Sequence, residues 1–448
     1  MDLIESTQES ISSATDFFST PPVALTEEES YFMKIHPTSS IDNNAPLIYE
    51  FDVDDSHYAD LNNCFHHAVF KLLKDNAAIA APGDAQQPGD NHKVAPINYF
   101  GNTLFQNAEL YLNGEMVETS NNLYPYKSFM QAFLSFDVET KNHQLALGGY
   151  YADTGDIDTD AIRTAMATDA CDNKGLHKRY DLSKNSTPFS ALSPLHLDFC
   201  TQNRYVQNRT SVKIRLTRVD PKFGLVANTA TKNFTFTIQH AYLLVRMVKP
   251  RESLRLAVEQ ALASSKIKYP LKRCEMRFFT FAGNSNTLSE PTLYSGHLPT
   301  RVALGLVETD SLDGDWKKSP FNFKPLQVNE IDLKMNGKSV TNDPLKIDLT
   351  NNDYALPYFW MYYSTGGLYN NESLVSYDQF KKGHFLYVFD LTEDGEHGLD
   401  HFHQPKSGVL SLNMRVSAPP GNSVSLVAMF EREIMITCDQ DRNYKVTG

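Results

Sequence analysis

The sequence predicts an all-β protein made of two tandem β-sandwiches, and three observations carry that expectation. Short segments alternate apolar and polar residues at the two-residue period of a half-buried strand. Asn-Gly pairs stand between such segments, where a tight hairpin needs two residues at positive φ. The same ordered series of segments then occurs in both halves of the chain. A length of 448 residues suits two such units, because all-β sandwiches often run to ~200–250 residues as one domain.

Taken in order, residues 1–42 are polar and lack sustained periodicity. They contain Phe17-Phe18-Ser19-Thr20-Pro21-Pro22, an apolar knot in a flexible setting. This N-terminal arm is expected either to stay disordered or to order on a neighbouring subunit, with Phe17, Phe18, Pro21 and Pro22 as candidate contacts. From Pro46 onward strands begin: Leu47, Tyr49 and Phe51 alternate with Ile48, Glu50 and Asp52. Val212, Ile214 and Leu216 alternate with Lys213, Arg215 and Thr217, and Phe234, Phe236 and Ile238 with Thr235, Thr237 and Gln239. A helix starts at Pro125, with Tyr126, Phe129, Met130, Phe133 and Leu134 on one face. A second helix, 252–264, follows Pro250 with Leu254, Ala257, Val258, Ala261 and Leu262 on one face, and reads as a linker between domains. The polar, Asp-rich stretch 137–190 is expected as a long surface loop on top of the first sandwich, and 76–95 as a second excursion.

The internal repeat is the most informative pattern. Pro96-Ile97-Asn98-Tyr99-Phe100 precedes Asn113-Gly114, and Pro320-Phe321-Asn322-Phe323 precedes Asn336-Gly337 at almost the same spacing. Tyr124-Pro125-Tyr126 follows in one half and Leu356-Pro357-Tyr358 in the other. Leu195–Phe199 ahead of the 212–218 strand is matched to Leu386–Asp390 ahead of 410–416. Two eight-stranded jelly rolls in tandem, with long connecting loops, would give this series. The expected division is an arm at 1–42, a first roll at 43–250 that includes the loop 137–190, and a second roll at 251–448 that begins with the linker helix.

Composition excludes several function classes. A net charge of −13 is wrong for a protein that neutralises nucleic-acid phosphates over a broad surface. Cys64, Cys171, Cys200, Cys274 and Cys438 are scattered and form no C-x-x-C pair, which argues against a disulfide framework or a zinc site. The N-terminus carries no basic-then-apolar leader pattern, and no apolar run reaches the ~18 residues of a membrane span. The sequons at Asn185, Asn208, Asn233 and Asn371 are read as chance. Asp153, Asp156, Asp158 and Asp160 resemble a calcium loop but lack its Gly and its final Glu, so a solvated acidic loop is expected. His397, His401 and His403 lie together, but Gly395, Gly398 and Pro405 argue for a loop, and they are read as surface histidines. For His66-His67 one core and one surface ring is expected. No nucleophile elbow, phosphate loop or H-E-x-x-H occurs, so the chain is expected not to be an enzyme, with no catalytic residue, no cofactor and no metal ligand.

These segments, taken together, resemble a family. Asp16–Pro22, Asp60-Leu61-Asn62-Asn63, Pro96–Phe100, Leu112-Asn113-Gly114, Tyr124-Pro125-Tyr126, Val212–Leu216, Ser319–Phe323, Phe389-Asp390-Leu391-Thr392 and Asp441-Arg442-Asn443 are similar, in order, to the hexon-like double-jelly-roll major capsid proteins of Polinton/Maverick elements and adintoviruses. The polar stretch 76–95 and the Ser364-Thr365-Gly366-Gly367 turn fit less well. The resemblance implies a homotrimer forming a pseudo-hexagonal capsomer and an icosahedral shell around double-stranded DNA. It also implies neighbouring capsomers, penton or minor capsid proteins as partners, and assembly in the host cell nucleus into virions. The loop 137–190 would then stand in an outward tower.

Overall fold

A computed structural model describes residues 26–41, 45–79, 93–229, 233–369, 373–395 and 401–447. The first roll has eight principal strands: β1 (Glu27–Ile35), β2 (Leu47–Val53), β3 (Tyr58–Lys74), β4 (Phe105–Leu112), β5 (Glu115–Thr119), β6 (Phe189–Pro194), β7 (Thr210–Arg218) and β8 (Phe234–Pro250). The second repeats them: β9 (Ile267–Phe281), β10 (Thr287–His297), β11 (Arg301–Glu308), β12 (Val328–Met335), β13 (Lys338–Ser339), β14 (Leu386–Asp390), β15 (Ser407–Val416) and β16 (Val424–Cys438). Six helices matter below: α1 (Tyr124–Ser135), α2 (Val138–His143), α3 (Asp160–Ala165), α4 (Lys174–Ser183), α5 (Glu252–Leu262) and α6 (Ala355–Tyr363).

Strand order is the same in both halves. The first roll faces a β1-β8-β3-β6 sheet with a β2-β7-β4-β5 sheet; the second faces β9-β16-β11-β14 with β10-β15-β12-β13. Each is the eight-stranded double Greek key of a jelly roll, so the fold is a double jelly roll. The long pairs run antiparallel, from Phe234 opposite Lys74 to Val248 opposite Tyr58, and from Ile267 opposite Cys438 to Phe281 opposite Val424. Alternation sets the inner faces: Val212, Ile214 and Leu216 of β7 are buried while Lys213 and Arg215 are half-buried. A single cluster of buried apolar side chains runs through both rolls.

The repeat marks equivalent places. Asn113-Gly114 (φ 50° and 84°) turns β4 into β5, and Asn336-Gly337 (φ 52° and 83°) turns β12 into β13. The Pro-x-Asn-aromatic segments also do the same job twice. Tyr99 N–H donates to Gly149 O and Phe323 N–H to Gly383 O, each at 3.0 Å, and both glycines have positive φ. Helices α1 and α6 lie in the corresponding β5–β6 and β13–β14 connections.

Four expectations are corrected. The strand after the helix in the first roll is Phe189–Pro194, so that segment, not Leu195–Phe199, is the counterpart of Leu386–Asp390. Part of the expected arm, Glu27–Ile35, is β1, paired along its length with β8. Seven of its nine residues are exposed, so it carries no apolar alternation to read. The stretch 137–190 is no loose polar loop: it folds into α2, α3 and α4 with Leu145, Tyr150, Ile157, Met166 and Leu176 buried. The linker helix ends at Leu262 and buries only that residue. Among the described residues no helix is long and apolar enough to cross a membrane. All five cysteines are free and buried.

Candidate functional site

The chemistry-bearing side chains converge on the joint between the two rolls. Helix α1 supplies its apolar half. Pro125 opens the helix, where its missing N–H costs nothing. Its aromatic stripe then faces the second roll: Phe129 stacks on Phe321 with ring centroids 4.3 Å apart and planes 6° from parallel. Tyr126 meets Phe321 edge-on at 5.6 Å, and Phe133 stacks on His384 at 5.4 Å. Such pairs contribute about 0.5–1.5 kcal/mol each beyond the apolar area they bury.

One cation interrupts this stripe. Lys127, 1% exposed, places Nζ 2.7 Å from Glu118 Oε1 and 2.6 Å from Asp198 Oδ1. From the second roll, Arg273 Nε lies 3.4 Å from Asp198 Oδ2 while its guanidinium donates to Val117 O, and Cys274 N–H donates to the same Asp198 oxygen at 3.1 Å. Glu118 accepts the backbone N–H groups of Asp198 and Phe199 at 2.8 and 3.2 Å. Two carboxylates and two cations thus share one dry site, and the pair divides. Burial raises both carboxyls, but Lys127 and Arg273 outweigh it at Glu118, which stays below its ordinary range. Burial, and then the charge of Glu118, push Asp198 up. Burial works against the Lys127 ammonium, yet Asp198 and Glu118 hold its pKa above the usual lysine value.

The Asp-rich run is only partly solvated: Asp160 stays exposed as expected, whereas Asp153 and Asp158 are mostly covered and serve this joint and its supports. Asp158 accepts Ser319 N–H at 3.0 Å and Asn322 Nδ2 at 2.7 Å, and pairs with Lys324 at 2.7 Å. Asp156 accepts from the same Asn322 amide at 2.7 Å. Asp153 holds Arg179, whose side chain is fully buried and also donates to Pro96 O and Tyr151 O. Asp160 pairs with Arg163 of α3. Lys141 of α2 donates to Leu374 O at 3.1 Å and to Phe133 O at 2.5 Å. Burial pushes its pKa down to about 7 against the pull of Asp137.

Three further features face solvent. On α6, Leu356, Phe359 and Tyr363 are 49%, 38% and 42% exposed, on one face at i, i+3 and i+7, while Pro357, Met361 and Tyr362 are buried. Edge strand β1 likewise exposes Tyr31 and Phe32. In the β14–β15 connection, Asp394, His401 and His403 come together. The candidate arm contacts Phe17, Phe18, Pro21 and Pro22, and also His397, lie outside the described residues. His66 is buried and bonded to Tyr49 Oη at 2.9 Å, whereas His67 stacks on Tyr242, the expected split. The Glu118–Lys127–Asp198–Arg273 cluster escaped the sequence reading. Its signal was a lone lysine inside the apolar helix YPYKSFMQAFLS.

No protein-family model matches the chain. An uncharacterized protein of Caenorhabditis elegans is 26% identical over 377 residues, 83% of this chain and 86% of that one. Among solved structures, a chain of the Sputnik virophage is similar with a TM-score of 0.64 at 11% identity, over 98% of this chain and 93% of its own. The Faustovirus major capsid protein gives 0.57 at 9% identity, covering 97% and 94%, and the mavirus major capsid protein 0.54 at 12%, covering 98% and 95%. At these identities the likeness is one of fold.

Proposed function

We propose that the chain is the major capsid protein of a double-stranded DNA virus or virus-like element of the Polinton and adintovirus kind, with a structural and non-enzymatic role. In this reading homotrimers of pseudo-hexagonal outline tile an icosahedral shell, assembled in the host nucleus. The two rolls, divided near residue 250, are its repeating units, and Phe17, Phe18, Pro21 and Pro22 belong to an arm that contacts neighbouring subunits or minor capsid proteins.

One observation carries the reading: the repeat leaves a face uncovered. Helix α1 buries its aromatic stripe against the roll that follows it. Helix α6 holds the corresponding place in the second roll, yet Leu356, Phe359 and Tyr363, which align through Pro125 and Pro357 with the buried Tyr124 and Lys127 and the half-buried Gln131 of α1, face solvent. Three copies around a threefold axis would give every α6 the first roll of the next copy. A head-to-tail contact whose rotation closes makes a ring, here of six similar units. The net charge of −13 fits a shell whose main contacts are with protein.

Light scattering on the full chain tests this. Trimers or capsid-like particles are expected, and Phe359→Glu with Tyr363→Glu should yield monomers of unchanged melting temperature. A parent chain that is a stable monomer and binds a glycan would refute the proposal. Deleting residues 1–24 should impair particle assembly more than it lowers the melting temperature; equal losses would assign the arm to the fold.

A further inference from the structure

The connection between β14 and β15 gathers three side chains on its two arms, Asp394 on one and His401 and His403 on the other. Their donor atoms lie within 4.8 Å of one another. His401 Nε2 is 3.0 Å from Asp394 Oδ2, and His403 Nε2 is 3.0 Å from Asp394 Oδ1. Ligands of a tetrahedral zinc, bound at 2.0–2.2 Å, stand about 3.4 Å apart, so the cluster is already near coordination spacing.

A second observation makes this more than a crowded loop. Glu433 on β16, its side chain 8% exposed, grips His403 twice: Oε1 lies 2.9 Å from Nδ1, and Oε2 accepts the His403 backbone N–H at 2.7 Å. A carboxylate on Nδ1 holds a proton there, so that Nε2 can give its lone pair to a cation that takes the place of the Nε2–Asp394 hydrogen bond. This is how outer carboxylates fix the tautomer and direction of metal-binding histidines. His403 is 9% exposed, while Asp394 and His401 are 38% and 49% exposed, so the cluster opens to solvent on one side. His403 also borders a cleft of about 470 Å³, with His297 and Phe402 on its walls, which offers an entry path.

We propose that Asp394, His401 and His403 form a site for a divalent transition-metal cation of the zinc class, with Glu433 as a positioning residue and a fourth coordination position open to water. Two imidazole nitrogens among three donors favour zinc-class ions over calcium or magnesium, which take oxygen ligands. The ion would clip the two arms of the connection 391–406 to each other and, through Glu433, to β16. The rival occupant of the same geometry is a proton on His403 Nε2, which would make the cluster an imidazolium between two carboxylates.

Calorimetric titration of the full chain with zinc chloride at pH 7.5, with magnesium chloride in parallel, separates the two. One zinc per chain, no magnesium binding and a melting temperature raised by zinc are expected. His401→Ala, at a half-exposed position that leaves the core intact, should lose zinc binding while keeping the metal-free melting temperature. Glu433→Gln should weaken binding about 10–100-fold, and His297→Ala, across the cleft, should leave it unchanged. No binding at about 100 µM zinc, or binding retained by His401→Ala, would overturn the proposal in favour of the protonated cluster.

Discussion

Replacing Lys127 by methionine is the sharpest probe of the joint. The substitution keeps most of the length of the side chain and removes its charge, so Glu118 and Asp198, both buried, face each other with Arg273 as the remaining cation of the cluster. Removing one partner of a buried ion pair costs about 3–5 kcal/mol, because the remaining charge is left uncompensated. The size of the loss should depend on pH, and its sign is determined. Without the lysine, one carboxyl has a folded pKa raised above its value in the unfolded chain. Its protonated form therefore supports the fold at low pH, and that support is lost as pH rises through the folded pKa. The variant's deficit should be about 3–5 kcal/mol at pH 7.5. It should shrink toward pH 5 by about 1.4 kcal/mol per pH unit over the range in which that carboxyl is protonated in the folded variant but ionised in the folded parent. Urea denaturation of parent and variant at both pH values, followed by tryptophan fluorescence, measures the difference. A deficit under about 1 kcal/mol at pH 7.5, or one equal at both pH values, would refute the view that Lys127 neutralises a buried carboxylate pair.

Other expectations follow from the same geometry. Phe129→Ala should cost about 3–5 kcal/mol by emptying the stack on Phe321, read as a lower denaturation midpoint; a loss under about 1 kcal/mol would mean the rolls do not depend on α1. His66 and His196 are held neutral by burial, with pKa values near 3, so their contribution is present above the ordinary histidine pKa and lost as pH falls below it. Each should remove about 2 kcal/mol between pH 7 and pH 5, and His66→Gln should roughly halve that slope; an unchanged slope would rule His66 out as its source. Gly149 has φ 81°, and a Cβ there would stand 2.3 Å from the Phe100 ring. Gly149→Ala should therefore destabilise the first roll by more than about 2 kcal/mol, and a neutral result by thermal melting would contradict that packing.

What was legible in the chain was what neighbouring residues decide among themselves. Alternation over five to nine residues, the positive φ values of Asn113-Gly114 and Asn336-Gly337, and the start of α1 at Pro125 are local properties, so they appear in the sequence as patterns. Strand β1 was illegible for a related reason: at a sheet edge with most residues exposed, Glu27–Ile35 has no buried face to impose alternation. The short segment Phe189–Pro194 was passed over in favour of Leu195–Phe199, because its partners on β3 are more than 100 residues away.

The candidate sites show the same division more strongly. The histidine cluster was half visible as spacing, but its carboxylates, Asp394 and Glu433, were not attached to it until β16 crossed the loop. The acidic run 153–160 read as solvated because its partners, Ser319, Asn322 and Lys324, lie in the other roll. By itself the sequence determined a duplicated all-β chain, the hairpins that set strand register, and the absence of a familiar catalytic motif. Only the tertiary structure decided which charges are buried together, which helix face is covered and which is bare. Those outcomes depend on desolvation and on contacts between segments far apart in the chain, and no local period encodes either.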